Sequence, residues 1–515
     1  MNRFDRIVAS FLLASASWAA EAQPRVVIDG EFSDWLDADA SIVDPVGDAT
    51  GLFDLTRLDV TTAGTVVYVR LSFTEPYNIQ AADAIGSGVG LIFELPDGGM
   101  LDLALGDRDP TLVRSGEAGT ESERLVWTQI DYASLPTPAS TDYEIRVDLG
   151  AAPVGVDPGS SVSVRLTGSD TSESVTVVLD VPAETTAFRT PGRFACTEFR
   201  VASLNTLRGG LTGDPEVAQR LRRLVAAARA DVYAFQEQVN IPVAGRNVGD
   251  VLEQLDPFGD GAAWYTHGSD DVVASRYPLV PLPKIPEANA AVVLLPGRPV
   301  VVYSFHPACC GIAGDGQDQS RIMASQGVVQ QVADLRAGEL GPDLEPYADA
   351  AVVVIGDYNL VGSFEPLDVL AQAGFSDWPL LDLGGRDAIT WRFNDGRPGS
   401  FWPGRLDLVV HTDDLGRRNG FVIDTARLDS DTIESSTPAL MPADSTGSDH
   451  LMLVADFGTP LPADQNGDGR LGPEDLDAWL ARYEAGDLRA DVNIDGKLDR
   501  SDYNAWLRLF TGGCE

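Results

Sequence analysis

The hydrophobic pattern changes its period near residue 195, and that change divides the chain into segments that cannot share one fold. Before it, short runs alternate apolar and polar side chains, as in Thr65-Val66-Val67-Tyr68-Val69-Arg70-Leu71 and residues 161–166 and 175–179, with Gly, Pro and Asp between them. A period of two puts alternate side chains on one face of a sheet, so residues 23–190 read as an antiparallel β-sandwich with no amphipathic helix of note. After residue 195, strands such as Phe199-Arg200-Val201-Ala202-Ser203-Leu204 and Val232-Tyr233-Ala234-Phe235 enclose a stretch, 216–230, with Leu221, Leu224 and Val225 at helical spacing. Strand, helix, strand predicts an α/β domain over 195–458, with sites built from loops at strand ends.

Charge constrains the chemistry. The 515 residues carry 37 basic against 78 acidic side chains, a formal charge of −41, which excludes a passive, charge-driven nucleic-acid binder. An anionic substrate must then be met by a local positive feature, such as a bound divalent cation. Apolar residues make up 44% of the chain and charged residues 22%, enough for real cores in two to four domains at about 150 residues each, and not a disordered chain. Lys284 and Lys497 are the only lysines among the basic residues, which reads as codon bias.

Arg3 and Arg6 precede an apolar run from Ile7 to Ala16, then Ala20-Glu21-Ala22 before Gln23. This reads as a secretory signal peptide over 1–22, because a membrane span needs about 20 apolar residues. The expectation is an exported protein, extracellular or on the cell surface, with no transmembrane segment. Cys196, Cys309, Cys310 and Cys514 allow two disulfides, but adjacent cysteines rarely bond to each other and Cys196 lies far from Cys514 in sequence, so the pairing is open.

The opening Ile28-Asp29-Gly30-Glu31-Phe32-Ser33-Asp34-Trp35, with Asp54 and Val67-Tyr68-Val69, resembles sandwich modules related to family-nine carbohydrate-binding modules. That resemblance implies a noncatalytic domain that binds glycan or a surface. The competing reading makes Trp35 and Tyr68 core aromatics.

In 195–458 almost every apolar strand stops at a carboxylate, an amide or an imidazole: Asn205, Glu237, His306, Asp357 with Asn359, Asp407, and Asp449-His450. Singly, Asp and Asn favour turns after strands and a lone His is most often structural. As an ordered set they supply what phosphate-ester hydrolysis requires: hard oxygen ligands, a group to orient water and imidazoles for phosphoryl oxygens. The strings ASLNTLRGG, DVYAFQEQ, VVASRYPLV, VVVIGDYNL, GRLDLVV and GSDHLMLVADF, over about 197–457, resemble the endonuclease/exonuclease/phosphatase superfamily. This resemblance implies an α/β two-sheet sandwich flanked by helices. It implies Glu237, with Asn205 beside it and Asp449 completing the cluster, as the seat of Mg²⁺ or Mn²⁺. Asp357 would orient or deprotonate water, and Asn359 would donate to a phosphoryl oxygen. His450, its tautomer fixed by Asp407, would lie against the scissile phosphate, with His306 donating to the phosphate or the leaving oxygen. Arg276 is expected to be structural or a distant phosphate contact. Pro307-Ala308-Cys309-Cys310 departs from the expected polar or aromatic loop. His267 and His411 match no motif position and read as surface residues. No basic stripe with interleaved aromatics argues for duplex binding, and no exposed apolar hairpin argues for membrane insertion.

Over 462–515 two twelve-residue loops recur with a 27-residue repeat. Asp464, Asn466, Asp468, Arg470 and Asp475 form one, and Asp491, Asn493, Asp495, Lys497 and Asp502 the other. Carboxylates or amides at positions one, three, five and twelve, a carbonyl at seven and Gly at six are what a hard cation needs from so short a loop, which predicts two Ca²⁺. Asp at position twelve and one helix after each loop resemble a type I dockerin domain, which implies a cohesin-like partner.

The whole reads as a secreted, multidomain, metal-dependent phosphodiesterase with a small C-terminal α domain. Its substrates rank as nucleic acid first, phospholipid headgroups second and sugar or inositol phosphates third. A catalytically inactive surface-binding or scaffold protein is the reading from another class.

Overall fold

A computed structural model describes residues 26–512 apart from 36–37, 52, 80–88, 117–118, 169, 181–190, 194–196, 239–246, 393–400, 437–439, 468–470 and 493–496. The signal-peptide segment, Cys196, Cys514 and the loop positions Asp468, Arg470, Asn493 and Asp495 lie outside the described residues. Among the described residues, no helix is long and apolar enough to cross a membrane.

The alternating segment forms two antiparallel sheets. One runs, edge to edge, through Ala40–Val43, Leu55–Ala63, Val66–Tyr77, Ser140–Asp148 and Ala133–Leu135. The other holds six strands between Gly90 and Val178. Their facing side chains, among them Leu58, Val60, Val69, Leu91, Phe93, Val162 and Val164, make one buried cluster, as the period of two requires.

The central segment is a second two-sheet sandwich with helices on its outer faces. Each sheet has one parallel pair. Phe199–Asn205 pairs with Val232–Gln236 and is joined to it through helix Pro215–Ala228. Pro299–Phe305 pairs with Ala351–Asp357 through helix Gly316–Arg336. The helix Pro215–Ala228 starts at Asp214, whose side chain accepts from the backbone of Glu216 and Val217, with Pro in its first turn. Inner faces meet in one apolar layer that includes Val201, Ala234, Val302, Val353, Ile355 and Leu453. Outer faces carry Leu204, Tyr233 and Phe235 under one set of helices and Tyr303, Val352 and Val354 under the other. Strands buried on both faces explain why their sequences are continuously apolar.

The first sandwich is not a detached module. Ile28 pairs in parallel with Asp387, donating to the Arg386 carbonyl at 3.1 Å and accepting from Ala388 N at 2.8 Å. Arg146 and Asp387, both buried, bond at 2.7 Å, and Arg427 reaches the same carboxylate at 2.6 Å. Trp402 of the central segment sits inside the core of the first sandwich, 4.1 Å from Tyr132 ring to ring, its indole donating to the Leu105 carbonyl at 2.9 Å. Trp35 and Tyr68 are buried at this junction with Ala388 and Ile389, so they are core aromatics and present no face to a sugar.

Helices Pro473–Ala485 and Arg500–Gly512 close the chain. Trp479 donates to the Ala490 carbonyl at 3.1 Å and Trp506 to the Ala463 carbonyl at 2.9 Å. Each indole thus braces the half that its repeat mate belongs to.

Candidate active site

The parallel pairs end together. Asn205 and Asp357 are the last residues of their strands, and Glu237 and His306 follow theirs at once. Asp407 opens the antiparallel strand Asp407–Thr412 and His450 precedes Met452–Gly458, so both arrive at the same edge from the other direction. Beneath them Gln236 Nε2 donates to Ser304 Oγ at 2.9 Å, and Ser304 donates to the Phe235 carbonyl at 3.1 Å, fastening the two sheets below the site. Gly356 has φ +150°, and a side chain there would meet the Phe305 carbonyl, so only glycine lets the strands approach closely enough to set Asp357 in place.

Asp357 is the hub. Its Oδ2 accepts from Asn205 Nδ2 at 3.0 Å and Asn359 Nδ2 at 3.2 Å, and lies 3.5 Å from His450 Nε2 and 3.6 Å from His306 Nε2. Asn205 also donates to Glu237 Oε1 at 3.1 Å. Glu237 and Asn359 hold φ values of +60° and +47°, a left-handed conformation that non-glycine residues rarely adopt and that is common at functional sites.

Each imidazole is backed by its own carboxylate. Asp407 Oδ2 stands 2.8 Å from His450 Nδ1, and Asp271 Oδ1 stands 3.5 Å from His306 Nδ1. Burial alone would lower the pKa of His450, but Asp407 and Asp357 outweigh it and raise it to about 10. For His306, burial is likewise outweighed, here by the neighbouring Asp271 carboxylate and the charge of Asp357, and the value rises to about 9. Both rings therefore face the site as cations at neutral pH. Thr390 Oγ1 accepts from the backbone of Leu406 and Asp407, and Ser448 Oγ donates to the Asn205 carbonyl. Asp271, Thr390 and Ser448 escape sequence reasoning, although Asp271 directly precedes a strand, as Asp449 nearly does.

Residues 202–450 match the model of the Endonuclease/Exonuclease/phosphatase family. The central domain is an endonuclease/exonuclease/phosphatase domain. Members of this family are hydrolases of phosphoester bonds that usually use divalent metal ions. No curated protein matches the chain. Among solved structures, it is similar to D. rerio TDP2 complexed with single strand DNA product, at 17% identity and TM-score 0.34, over 51% of this chain and 99% of that one. It is similar to the 3′ phosphatase NExo from Neisseria bound to a product DNA hairpin, at 16% identity and TM-score 0.33, over 50% and 99%. It is also similar to an endonuclease/exonuclease/phosphatase from Beutenbergia cavernae, at 17% and 0.32, over 51% and 72%.

The donor set of the endonuclease/exonuclease/phosphatase domain fits a hard divalent ion. Glu237 and Asp357 bring carboxylate oxygens to either side of Asn205 Nδ2, which donates to both, and side-chain atoms of Asp357, Asp407 and His450 lie within 4.8 Å of one another. His450 Nδ1 is already held by Asp407 and Asn205 Oδ1 by Leu207 N at 3.0 Å, so the Glu237 carboxylate, with Asp357 across from it, is the better seat, with half-buried Asp449 beside His450. Asp449 Oδ2 accepts from Trp391 Nε1 at 3.4 Å.

Three sequence expectations meet different surroundings. Arg276 lies at the far end of its strand, its backbone bonded to the Asp231 carbonyl, its guanidinium 3.9 Å over the Phe258 ring and paired with Asp260. His411 is a core residue rather than a surface one. It is buried against Trp378 and Phe457, with Nδ1 on the Thr412 carbonyl and Nε2 accepting from Arg417 Nε at 2.9 Å. His267 is half-buried. Cys309 and Cys310 carry free, exposed thiols whose sulfurs lie 2.7 Å apart.

Proposed function

We propose that this protein is an exported, metal-dependent phosphodiesterase that cleaves nucleic acid by attack of water on phosphorus. The observation that carries it is the convergence of two carboxylate-backed imidazoles and two amides on Asp357 Oδ2. A divalent ion would be held by the Glu237 carboxylate, which Asn205 Nδ2 positions, and would supply Lewis-acid stabilisation of the charge that develops at phosphorus. Asp357 orients the attacking water and takes its proton. His450 and His306 meet the phosphoryl and leaving oxygens as hydrogen-bond donors of positive charge, which answers how an acidic protein holds an anion. Asn359, whose Nδ2 donates to the Pro307 carbonyl at 3.0 Å as well as to Asp357, holds that carboxylate in place.

Nucleic acid ranks above a lipid headgroup or a sugar phosphate because of Trp391. It borders Asp449, and Phe401, half-exposed, lies 6.4 Å from it ring to ring, with Arg108 of the first sandwich 4.0 Å over the Phe401 ring. An aromatic pair with an arginine offers a stacking surface for a base. The tail is proposed to bind two Ca²⁺ in dockerin-like loops and to dock a cohesin-like partner. In support, Asp475 Oδ2 accepts from Gly472 N, and Asp502 Oδ2 from Asp499 N, at equivalent places in the two repeats, both at 2.8 Å. A glycan partner for the first sandwich would have to use a surface other than Trp35 and Tyr68.

The test is hydrolysis of bis(p-nitrophenyl) phosphate, plasmid DNA and sphingomyelin by the full chain with Mg²⁺ or Mn²⁺, beside His450→Ala and Glu237→Ala. Turnover that both substitutions abolish, with DNA preferred, is expected. No turnover on any substrate with either metal would favour an inactive scaffold.

A further inference from the structure

A second group of carboxylates, sharing no residue with the phosphoesterase centre, lies in the first sandwich. Asp44 follows strand Ala40–Val43, Asp48 lies in the connection to Leu55–Ala63, and Asp170 lies between Ser161–Thr167 and Val175–Val178. One oxygen from each falls within 4.8 Å of the others. Asp44 is 6% exposed and Asp170 5%, while Asp48 is exposed.

An acidic cluster alone says little, but this one contains a defect. Asp44 Oδ2 is fully buried and has no hydrogen-bond partner. An unmatched carboxylate oxygen costs free energy unless something cationic meets it. The neighbouring oxygens are differently placed: Asp170 Oδ2 accepts from Leu55 N at 2.6 Å and its Oδ1 from Thr171 N at 2.7 Å. Those bonds fix the direction of the Asp170 carboxylate and leave its other lone pairs available. Asp54 similarly accepts from Gly47 N at 3.0 Å, shaping the loop that carries Asp48. Burial, and then the charges of Asp170, Asp48, Asp54 and Glu173, raise the Asp44 pKa to about 6. Every charge in that set is negative.

We infer that Asp44, Asp48 and Asp170 form a calcium site that pins the turn carrying Asp44 and Asp48 to the turn carrying Asp170. Carboxylate oxygens are ligands for hard cations, and a site built of several protein carboxylates suits Ca²⁺, whereas Mg²⁺ keeps most of its water and takes one or two. The bound ion meets Asp44 Oδ2 and relieves the repulsion. This site is separate from the tail loops and from the phosphoesterase centre, and does not depend on the reading of either.

The test is calcium binding by the full chain in equilibrium dialysis, comparing the wild type with Asp44→Asn and Asp48→Asn, together with melting curves in chelator and in calcium. The wild type is expected to bind one equivalent more than Asp44→Asn. Asp48→Asn, whose side chain is exposed and outside the core, is expected to weaken that equivalent about tenfold or more. In chelator, Asp44→Asn should melt no lower than the wild type, because a repelled charge is gone; in calcium the wild type should gain more. Equal stoichiometry and affinity in all three proteins would overturn the site. Displacement of this equivalent by magnesium at equal concentration would overturn its assignment to calcium. Should Asp44→Asn fail to fold, Asp48→Asn decides.

Discussion

Asp407 Oδ2 lies 2.8 Å from His450 Nδ1, with Asp407 wholly buried and His450 6% exposed. The pair fixes which imidazole nitrogen faces Asp357 and keeps the ring charged. Asp407→Asn retains the shape and removes the charge. It should lower kcat on bis(p-nitrophenyl) phosphate by about a thousandfold, since the analogous change in other His–Asp pairs is comparably severe, with KM little altered. An undiminished kcat would show that Asp407 does not govern His450.

Much of this centre is legible from sequence because each polar residue interrupts an apolar run at a strand end, where the hydrophobic period stops. Asp357 and Glu237 are examples. The partners behind them are harder to read. Asp271 supports His306 from the start of a strand in the opposite sheet, and only the packing of the two sheets against each other brings the pair together. His411 looks like an isolated surface imidazole in sequence, yet all six residues of its strand are buried, and the Arg417 that satisfies it comes from the next strand. Contacts between the two sandwiches are least legible of all. Arg146 and Asp387 are 241 positions apart, and Trp402 and Leu105 are 297, beyond any local pattern.

Those contacts make a prediction about stability. Trp402 is 1% exposed and lies in the core of a domain to which it does not belong in sequence. Trp402→Ala should cost about 3–5 kcal/mol, the usual range for a large buried aromatic. Trp402→Phe keeps the stacking on Tyr132 and loses the bond to the Leu105 carbonyl, so it should cost about 1 kcal/mol. Calorimetry should show the two sandwiches of the wild type melting in one transition and those of Trp402→Ala in two. Separate transitions in the wild type would mean that the interface does not couple them.

His411 makes stability depend on pH. Burial, reinforced by the Arg417 charge and opposed by the Thr412 carbonyl, lowers its pKa from 6.5 to about 4. Between those values the unfolded chain binds a proton that the folded one refuses. The contribution is therefore complete above pH 6.5 and is lost as pH falls toward 4, amounting to on the order of 3 kcal/mol. Denaturant melts across this window should show a smaller slope for His411→Gln than for the wild type. Identical slopes would mean that the ring charges in place.

The tail carries the last prediction. Trp479 donates to the Ala490 carbonyl and Trp506 to the Ala463 carbonyl, so each helix is braced by the loop of the other repeat. The core of the tail is small, the two indoles packing with Tyr503 and part-buried apolar residues, and on the proposed calcium reading it would depend on bound metal for stability. Calcium should therefore raise helicity and shift the fluorescence of both indoles together, and chelator should reverse it, with Trp479→Phe and Trp506→Phe assigning the signals. Because the bracing is crossed, Asp475→Ala in the first loop should diminish the response of both indoles although the second loop is intact. Loss of only one indole's response would show that the loops act independently, and no calcium response in the wild type would remove the calcium reading of the tail.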